Sequence, residues 1–414
     1  MPANRRPPAR GPRRGRPLPP PRALPADRGR QPLPASLQAR RLPPSTLRRR
    51  RASALFGIVA LIVLIAAGAN RFAHKNAPIT VQTTARHTKT GPAALRVGLI
   101  DCTFVDTSRP TKNWATGVST PGRRLLTEVR YPTTNGVAAR ETPRAHPAYR
   151  RGPFPLIVFA PGFKVYPVEY RALLDAWVRA GYVVAAPVFP DTNPAAVAAQ
   201  GNIAESDLVN QPADVAFVTR RLEAAARGQS PNCAFVKGLM STGPVVLAGQ
   251  SDGGDTVAAL AYEHANASLL SGLQVHGVAV LSGAEIDTAP GAYGASASSP
   301  PMLFTQSRND ACNTPEDAAQ LYNAVNENDK WFLDLTAKTH IGPYNGRNAE
   351  SFDVVVKATE AFFRAEIAGV SPGAFLRQAV AGKSAVATLS QGGSISLPYL
   401  RASQASCYTD VIPD

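Results

Sequence analysis

The sequence predicts an α/β protein: a doubly wound, mostly parallel sheet with helices on both faces, preceded by a disordered tail and one membrane-crossing segment. Three observations carry that prediction. From Leu95 onward, short continuous apolar runs rich in Val, Leu and Phe alternate with longer Ala-rich stretches, the pattern of a parallel sheet covered on both sides. Residues 52–69, ASALFGIVALIVLIAAGA, are eighteen positions without a charge. Before them, 15 Arg and 13 of the chain's 38 Pro crowd into 51 residues that hold one Asp and no aromatic side chain.

The charge distribution also narrows the function. The whole chain of 414 residues carries 45 Lys+Arg against 29 Asp+Glu, a net charge of +16. The tail alone accounts for +14 of it, and the other 363 residues hold 30 basic and 28 acidic side chains. A footprint for nucleic-acid phosphates needs basic residues clustered on the folded part, so no nucleic-acid partner is expected. Hydrophobic residues at 44% and charged residues at 18% fit a globular core and exclude collagen-like, coiled-coil and wholly disordered classes.

Residues 1–51 therefore read as a disordered Arg/Pro-rich tail. The four arginines of 48–51 place the N-terminal side in the cytoplasm and residues 70–414 across the membrane. The apolar run is long for an export signal, which favours a retained transmembrane anchor. The alternative is a cleaved signal, since Ala67-Gly68-Ala69 fits a signal-peptidase site, and the protein would then be secreted. Residues 70–94, polar and Thr-rich, read as a linker. Cys102, Cys233, Cys312 and Cys407 all follow the apolar run and lack the close spacing of a metal site, so no metal is expected and two disulfides are. Three connectivities are possible, and nesting by neighbourhood favours Cys102–Cys233 with Cys312–Cys407.

The folded domain is expected over 95–370. RVGLI (96–100) and LLTEVRY (125–131) read as strands at an antiparallel edge. Then LIVFA (156–160) precedes a helix at 167–180, and YVVAAPVF (182–189) a helix at 212–227. VVLAG (245–249) precedes a helix at 254–264 and is followed by the strand VAVLS (278–282). MLFTQS (302–307) precedes a helix at 315–327, and WFLDL (331–335) a helix at 351–368. Residues 371–414 form a Gly/Ser-rich extension with no assignable chemistry. In such a sheet the site belongs at the carboxyl ends of the strands.

Gly249-Gln250-Ser251-Asp252-Gly253-Gly254 lies between the strand VVLA and a helix. Gly-x-Ser-x-Gly in that setting forms a tight elbow that presents the serine hydroxyl at the sheet edge, beside the positive end of a helix dipole. Gly249 and Gly253 are needed because a Cβ there would strike the neighbouring strand and helix. Serine needs a base. Of six histidines, His74 and His87 lie in the linker, His146 precedes the main sheet, His264 ends the nucleophile helix, and His276 starts a strand at the far end. His340, in the loop after WFLDL, remains. Asp310, in SRNDACN after MLFTQS, is the acid expected to fix its tautomer, with Glu285 and Asp287 as competitors one strand earlier. Two backbone donors for an oxyanion are expected from Asp252, at the helix start, and from Phe163, in the loop Ala160-Pro161-Gly162-Phe163. The Phe163 ring is a candidate floor for the acyl pocket.

With these residues in place the chain resembles the α/β-hydrolase superfamily. Within it the chain looks like the serine hydrolases grouped with platelet-activating-factor acetylhydrolase, dienelactone-hydrolase-like proteins and bacterial polyester-degrading cutinases. CTFVDTSRPTKNW with GRRLLTEVRYP (102–132) resembles the N-terminal edge of the acetylhydrolase-like members, FPLIVFAPGF (154–163) the oxyanion loop, and VVLAGQSDGG (245–254) the nucleophile elbow. MLFTQSRNDACN and WFLDLTAKTHIGPY resemble the acid and base strands of cutinases. Gln250 stands where many members have His or Trp, and Ser251 where dienelactone hydrolases have Cys. The resemblance implies cleavage of carboxylic esters through an acyl-enzyme, with no metal or organic cofactor and an ester substrate that is a small molecule, lipid or polyester. The alternatives are an inactive binding module of the same fold and a serine peptidase. Substrate choice is expected from 191–211 and from 283–300, with Tyr293 as a wall, both loops by composition.

Overall fold

The computed structural model describes residues 94–286, 292–296, 299–325, 329–337, 339–397 and 399–402. The tail, the apolar run 52–69, the linker to residue 93, Asp287 and Cys407 lie outside the described residues. Among those described, no helix is long and apolar enough to cross a membrane.

In chain order the strands are β1 (Arg96–Asp106), the short β2 (Thr111–Lys112) and β3 (Ser119–Thr120), β4 (Arg123–Thr133), the short β5 (Thr142–Pro143), β6 (Phe154–Ala160), β7 (Val183–Val188), β8 (Met240–Gln250), β9 (Gln274–Leu281), β10 (Met302–Ser307), β11 (Lys330–Leu335) and β12 (Ala387–Gln391). The helices are α1 (Arg171–Arg179), α2 (Pro194–Gln200), α3 (Gln211–Ala226), α4 (Asp252–Tyr262), α5 (Pro315–Ala324), α6 (Gly342–Asn345), α7 (Ala349–Ile367) and α8 (Gly373–Ala379). Ten strands form one sheet in the order β5-β1-β4-β7-β6-β8-β9-β10-β11-β12. The run β7-β6-β8-β9-β10-β11 is parallel. β4 joins it antiparallel to β7 and pairs antiparallel with β1, the edge expected from 96–100 and 125–131.

Strand alternation divides the core. Leu156, Val158, Leu247 and Val280 face one cluster with Val257 of α4, while Ile157, Phe159, Val246 and Leu281 face the other with Trp177 of α1 and Phe363 of α7. The parallel strands β6 to β11 are thus buried on both faces, at least over their carboxyl-terminal halves, which is why the sequence shows unbroken apolar runs there rather than a half-polar alternation. Cys102 of β1 is bonded to Cys233, tying the edge to the segment before β8. Cys312 is disulfide-bonded as well.

Two segments depart from expectation. The stretch 191–211, a loop by composition, contains α2 and a 3-10 run over Asn202–Asn210. Asn193 caps α2 by accepting from the Ala195 and Ala196 amides, with Pro194 at the first helical position. The extension beyond 370 supplies α8 and β12, which pairs antiparallel with β11 and closes that side of the sheet. The chain passes from β6 to β7 on one side and returns to β8 on the other. The crevice at which strand order reverses therefore opens between the carboxyl ends of β6 and β8.

Candidate active site

Ser251 sits at that crevice, one residue past β8 and one before α4, with φ +57° and ψ −130°. A non-glycine residue holds such a conformation only when its surroundings impose it. The Ser251 N–H continues the sheet pairing by donating to Leu281 O at 3.0 Å, and its carbonyl accepts from Asp255 N–H at 2.9 Å to open the helix. The glycines answer to crowding: a Cβ on Gly249 would collide with the Gly253 carbonyl, and one on Gly253 with the Ala160 carbonyl. The loop after β6 presses on the serine from the other side, where a Cβ on Gly162 would stand 3.0 Å from the Ser251 Cβ.

Asp310 follows β10 and His340 follows β11, so both side chains reach the crevice from neighbouring strand ends. His340 Nδ1 and Asp310 Oδ2 are 2.7 Å apart, and both residues are buried. Asp310 Oδ1 accepts the Cys312 N–H at 2.9 Å, and the Gln306 amide stands 3.4 Å from Oδ2. With the Nδ1 proton directed at the carboxylate, Nε2 carries the lone pair. His340 also lies against Gln250, the residue before Ser251. Gln250 Nε2 is 3.2 Å from His340 Nε2, and the imidazole acts electrostatically on the Asp252 carboxyl. No hydrogen bond joins Ser251 Oγ to His340 among the described residues.

The competing groups fall elsewhere. Glu285 is engaged by Gln320 at 3.4 Å. His276 faces the Glu366 carbonyl at 3.1 Å, His264 stands at the far end of α4, and His146 stacks edge-on against Tyr149. The two predicted backbone donors lie on the segments flanking Ser251. Asp252 N–H is in the first turn of α4, where a helix offers its amides no internal acceptor. Phe163 N–H follows the Gly162 that packs on Ser251, and it has no acceptor among the described residues.

Two buried carboxyls, Asp252 and Asp255, lie in the first turn of α4. Burial pushes the Asp252 carboxyl up to about 7, with Glu205 adding to the rise and His340 opposing it. Burial likewise raises Asp255 well above the usual carboxylate range, with the Asp252 charge adding to it, although Asp255 Oδ1 accepts the Ala284 N–H at 2.6 Å. Asp252 Oδ2 is buried without a hydrogen-bond partner. The Phe163 ring packs with Val197 of α2 and Ala204 of the 3-10 run, so the segment 194–210 rests on the loop beside Ser251. Tyr293 is buried, with its hydroxyl accepting the Ile286 N–H at 3.0 Å. The Gln250 and Tyr170 contacts at the back of the site have no local signature in the sequence.

No family model matches the chain, and comparison with curated proteins finds no match. Among solved structures, the chain is similar to a ferulic acid esterase from Streptomyces cinnamoneus, with 19% identity and a TM-score of 0.49 over 66% of this chain and 90% of that one.

Proposed function

We propose that this protein is a serine hydrolase that cleaves carboxylic esters, with Ser251 as nucleophile, His340 as general base and acid, and Asp310 as the group that orients the imidazole. The observation that carries the reading is the meeting of a positive-φ serine at a strand–turn–helix elbow with a buried His340–Asp310 pair at 2.7 Å. Ser251 Oγ attacks the ester carbonyl as its proton passes to His340 Nε2, the Phe163 and Asp252 amides stabilise the oxyanion, and the same proton passes to the departing alcohol. Water then repeats the attack, gives its proton to His340 and releases the acid, with Ser251 recovering its hydrogen. The segment 194–210, resting on Phe163, is the wall that selects the acyl group. Residues 52–69 are read from sequence alone as the anchor that holds this domain outside the cytoplasmic face.

Hydrolysis of p-nitrophenyl esters from acetyl to palmitoyl by the full chain, beside Ser251→Ala, tests the reading. Activity on part of the series, a loss of several orders of magnitude in Ser251→Ala, and fluorophosphonate labelling of the wild type alone are expected. Absence of both turnover and labelling in the wild type would sink it and leave a binding module of the same fold.

A further inference from the structure

The side chain next to the nucleophile makes contacts that ester cleavage does not itself require. Gln250 ends β8 and is 1% exposed. Its Oε1 accepts the Tyr170 hydroxyl at 2.6 Å, and its Nε2 stands 3.3 Å from His340 O and 3.2 Å from His340 Nε2. Tyr170, fully buried, accepts in turn the Gly162 N–H at 3.2 Å. The polarity of this chain is forced. Gly162 N–H can only donate, so the Tyr170 proton is free for Gln250; a backbone carbonyl can only accept, so the Gln250 amide nitrogen must be the atom facing His340 O. His340 Nε2 stands 3.2 Å from the same nitrogen, and since its single lone pair is the one that takes the Ser251 proton, the tie that persists through the reaction is the one to His340 O.

One directional run of hydrogen bonds therefore links the loop after β6, which carries Gly162 and Phe163, to the loop after β11, which carries His340. Burial shuts out the water that would otherwise replace a missing link, so each link holds its neighbours at a fixed spacing. Resting on the ester-hydrolase reading, we infer that Gln250, acting with Tyr170, is a positioning residue that sets the distance and angle between the oxyanion loop and the base. Neither side chain exchanges a proton with substrate in this role. The tie acts on the loop that closes on the nucleophile, where a Cβ on Gly162 would stand 3.0 Å from the Ser251 Cβ.

The test compares full-length Gln250→Leu, Gln250→Glu, Tyr170→Phe and the Gln250→Leu/Tyr170→Phe pair on p-nitrophenyl butyrate. Activity is expressed per site titrated with a fluorophosphonate, which corrects for misfolded protein. Gln250→Leu is expected to lose about tenfold to a hundredfold in kcat with KM little changed. Tyr170→Phe should lose less, and the pair should fall within about threefold of Gln250→Leu, because the second link acts only through the first. Gln250→Glu keeps the shape and the acceptor for Tyr170 but sets a carboxylate oxygen against the His340 carbonyl. It should be as poor as Gln250→Leu, and it serves where the leucine variant does not fold. The downfield proton resonance of His340 Nδ1–H should broaden in both Gln250 variants and persist in Ser251→Ala. Wild-type kcat and an unaltered resonance in both Gln250 variants, with Ser251→Ala inactive, would overturn the inference and leave the esterase reading standing. Additive losses in the pair would overturn it too. A wild type that neither labels nor turns over removes both.

Discussion

Asp310 Oδ2 and His340 Nδ1 stand 2.7 Å apart, while the other oxygen of the same carboxylate holds the Cys312 amide, so both oxygens of the carboxylate are fixed in place. An amide in its place would still fill the space but would present a donor to Nδ1. The imidazole would then carry its proton on Nε2, the nitrogen that must be free to take the Ser251 proton in the proposed reaction.

Asp310→Asn is accordingly expected to fold normally and to lose roughly 10³–10⁴-fold in kcat, the scale seen when triads of this kind hold the wrong tautomer. Steady-state kinetics on p-nitrophenyl butyrate, with circular dichroism as the folding control, measures it. A variant within tenfold of wild type would mean that His340 needs no orienting acid.

Asp252 gives a pH prediction of definite sign. Its carboxyl ordinarily titrates near 3.8, and burial pushes it up to about 7 in the folded protein, with Glu205 adding to the shift. Between those values the native state keeps a proton that the unfolded chain releases. Stability therefore falls as pH rises from about 4 to about 7, and the penalty is fully present above that range. Asp252→Asn removes the titrating group, so the variant should gain on wild type by on the order of 1–3 kcal/mol between pH 5 and pH 8. Glu366, also raised by burial, tilts the curve the same way in both proteins; Asp255, raised in part by the Asp252 charge, is raised less in the variant, which adds to the gain. Denaturant unfolding at the two pH values reads it, and parallel curves would refute it.

These residues also mark what the sequence could and could not disclose. The strand MLFTQS is bounded at 302 and 307 as its apolar run indicates, and Ser251 lies in the strand–turn–helix elbow that its glycines require, because both signals are local. That His340 is the histidine beside Asp310 is reachable by elimination, with only six histidines to weigh. The helix at Pro194–Gln200 has an Asn-Pro start, but its short Ala-rich stretch gives no apolar face to read, so its composition indicates a loop. The strand Ala387–Gln391 draws its identity from pairing with β11, which no local pattern encodes. The ties of Gln250 to Tyr170 and His340 cross 80 and 90 positions of chain and were equally out of reach.

Arg123 is the largest of these long-range surprises. It opens β4 at 1% exposure and binds two carboxylates with equal thoroughness. Nε and Nη2 reach Asp214 at 2.9 and 2.6 Å, and Nη1 and Nη2 reach Asp207 at 3.1 and 2.7 Å. Asp214 opens α3, and burial pushes its carboxyl up against the lowering pull of Arg123 and Arg109. Asp207 sits on the 3-10 run whose Ala204 packs on Phe163, so one guanidinium fastens the segment over Phe163 to the start of β4. Arg123→Met would leave Asp207 buried with no cation and Asp214 with only the half-exposed Arg109, a loss expected to cost about 3–5 kcal/mol of unfolding free energy. Arg123→Met/Asp207→Asn should recover part of it, because one of the two stranded charges is gone. Hydrogen exchange locates the damage: in Arg123→Met the amides of 202–210 should exchange faster while those of β8 keep their protection. Equal acceleration in both segments would mean that Arg123 supports the whole sheet rather than the segment over Phe163.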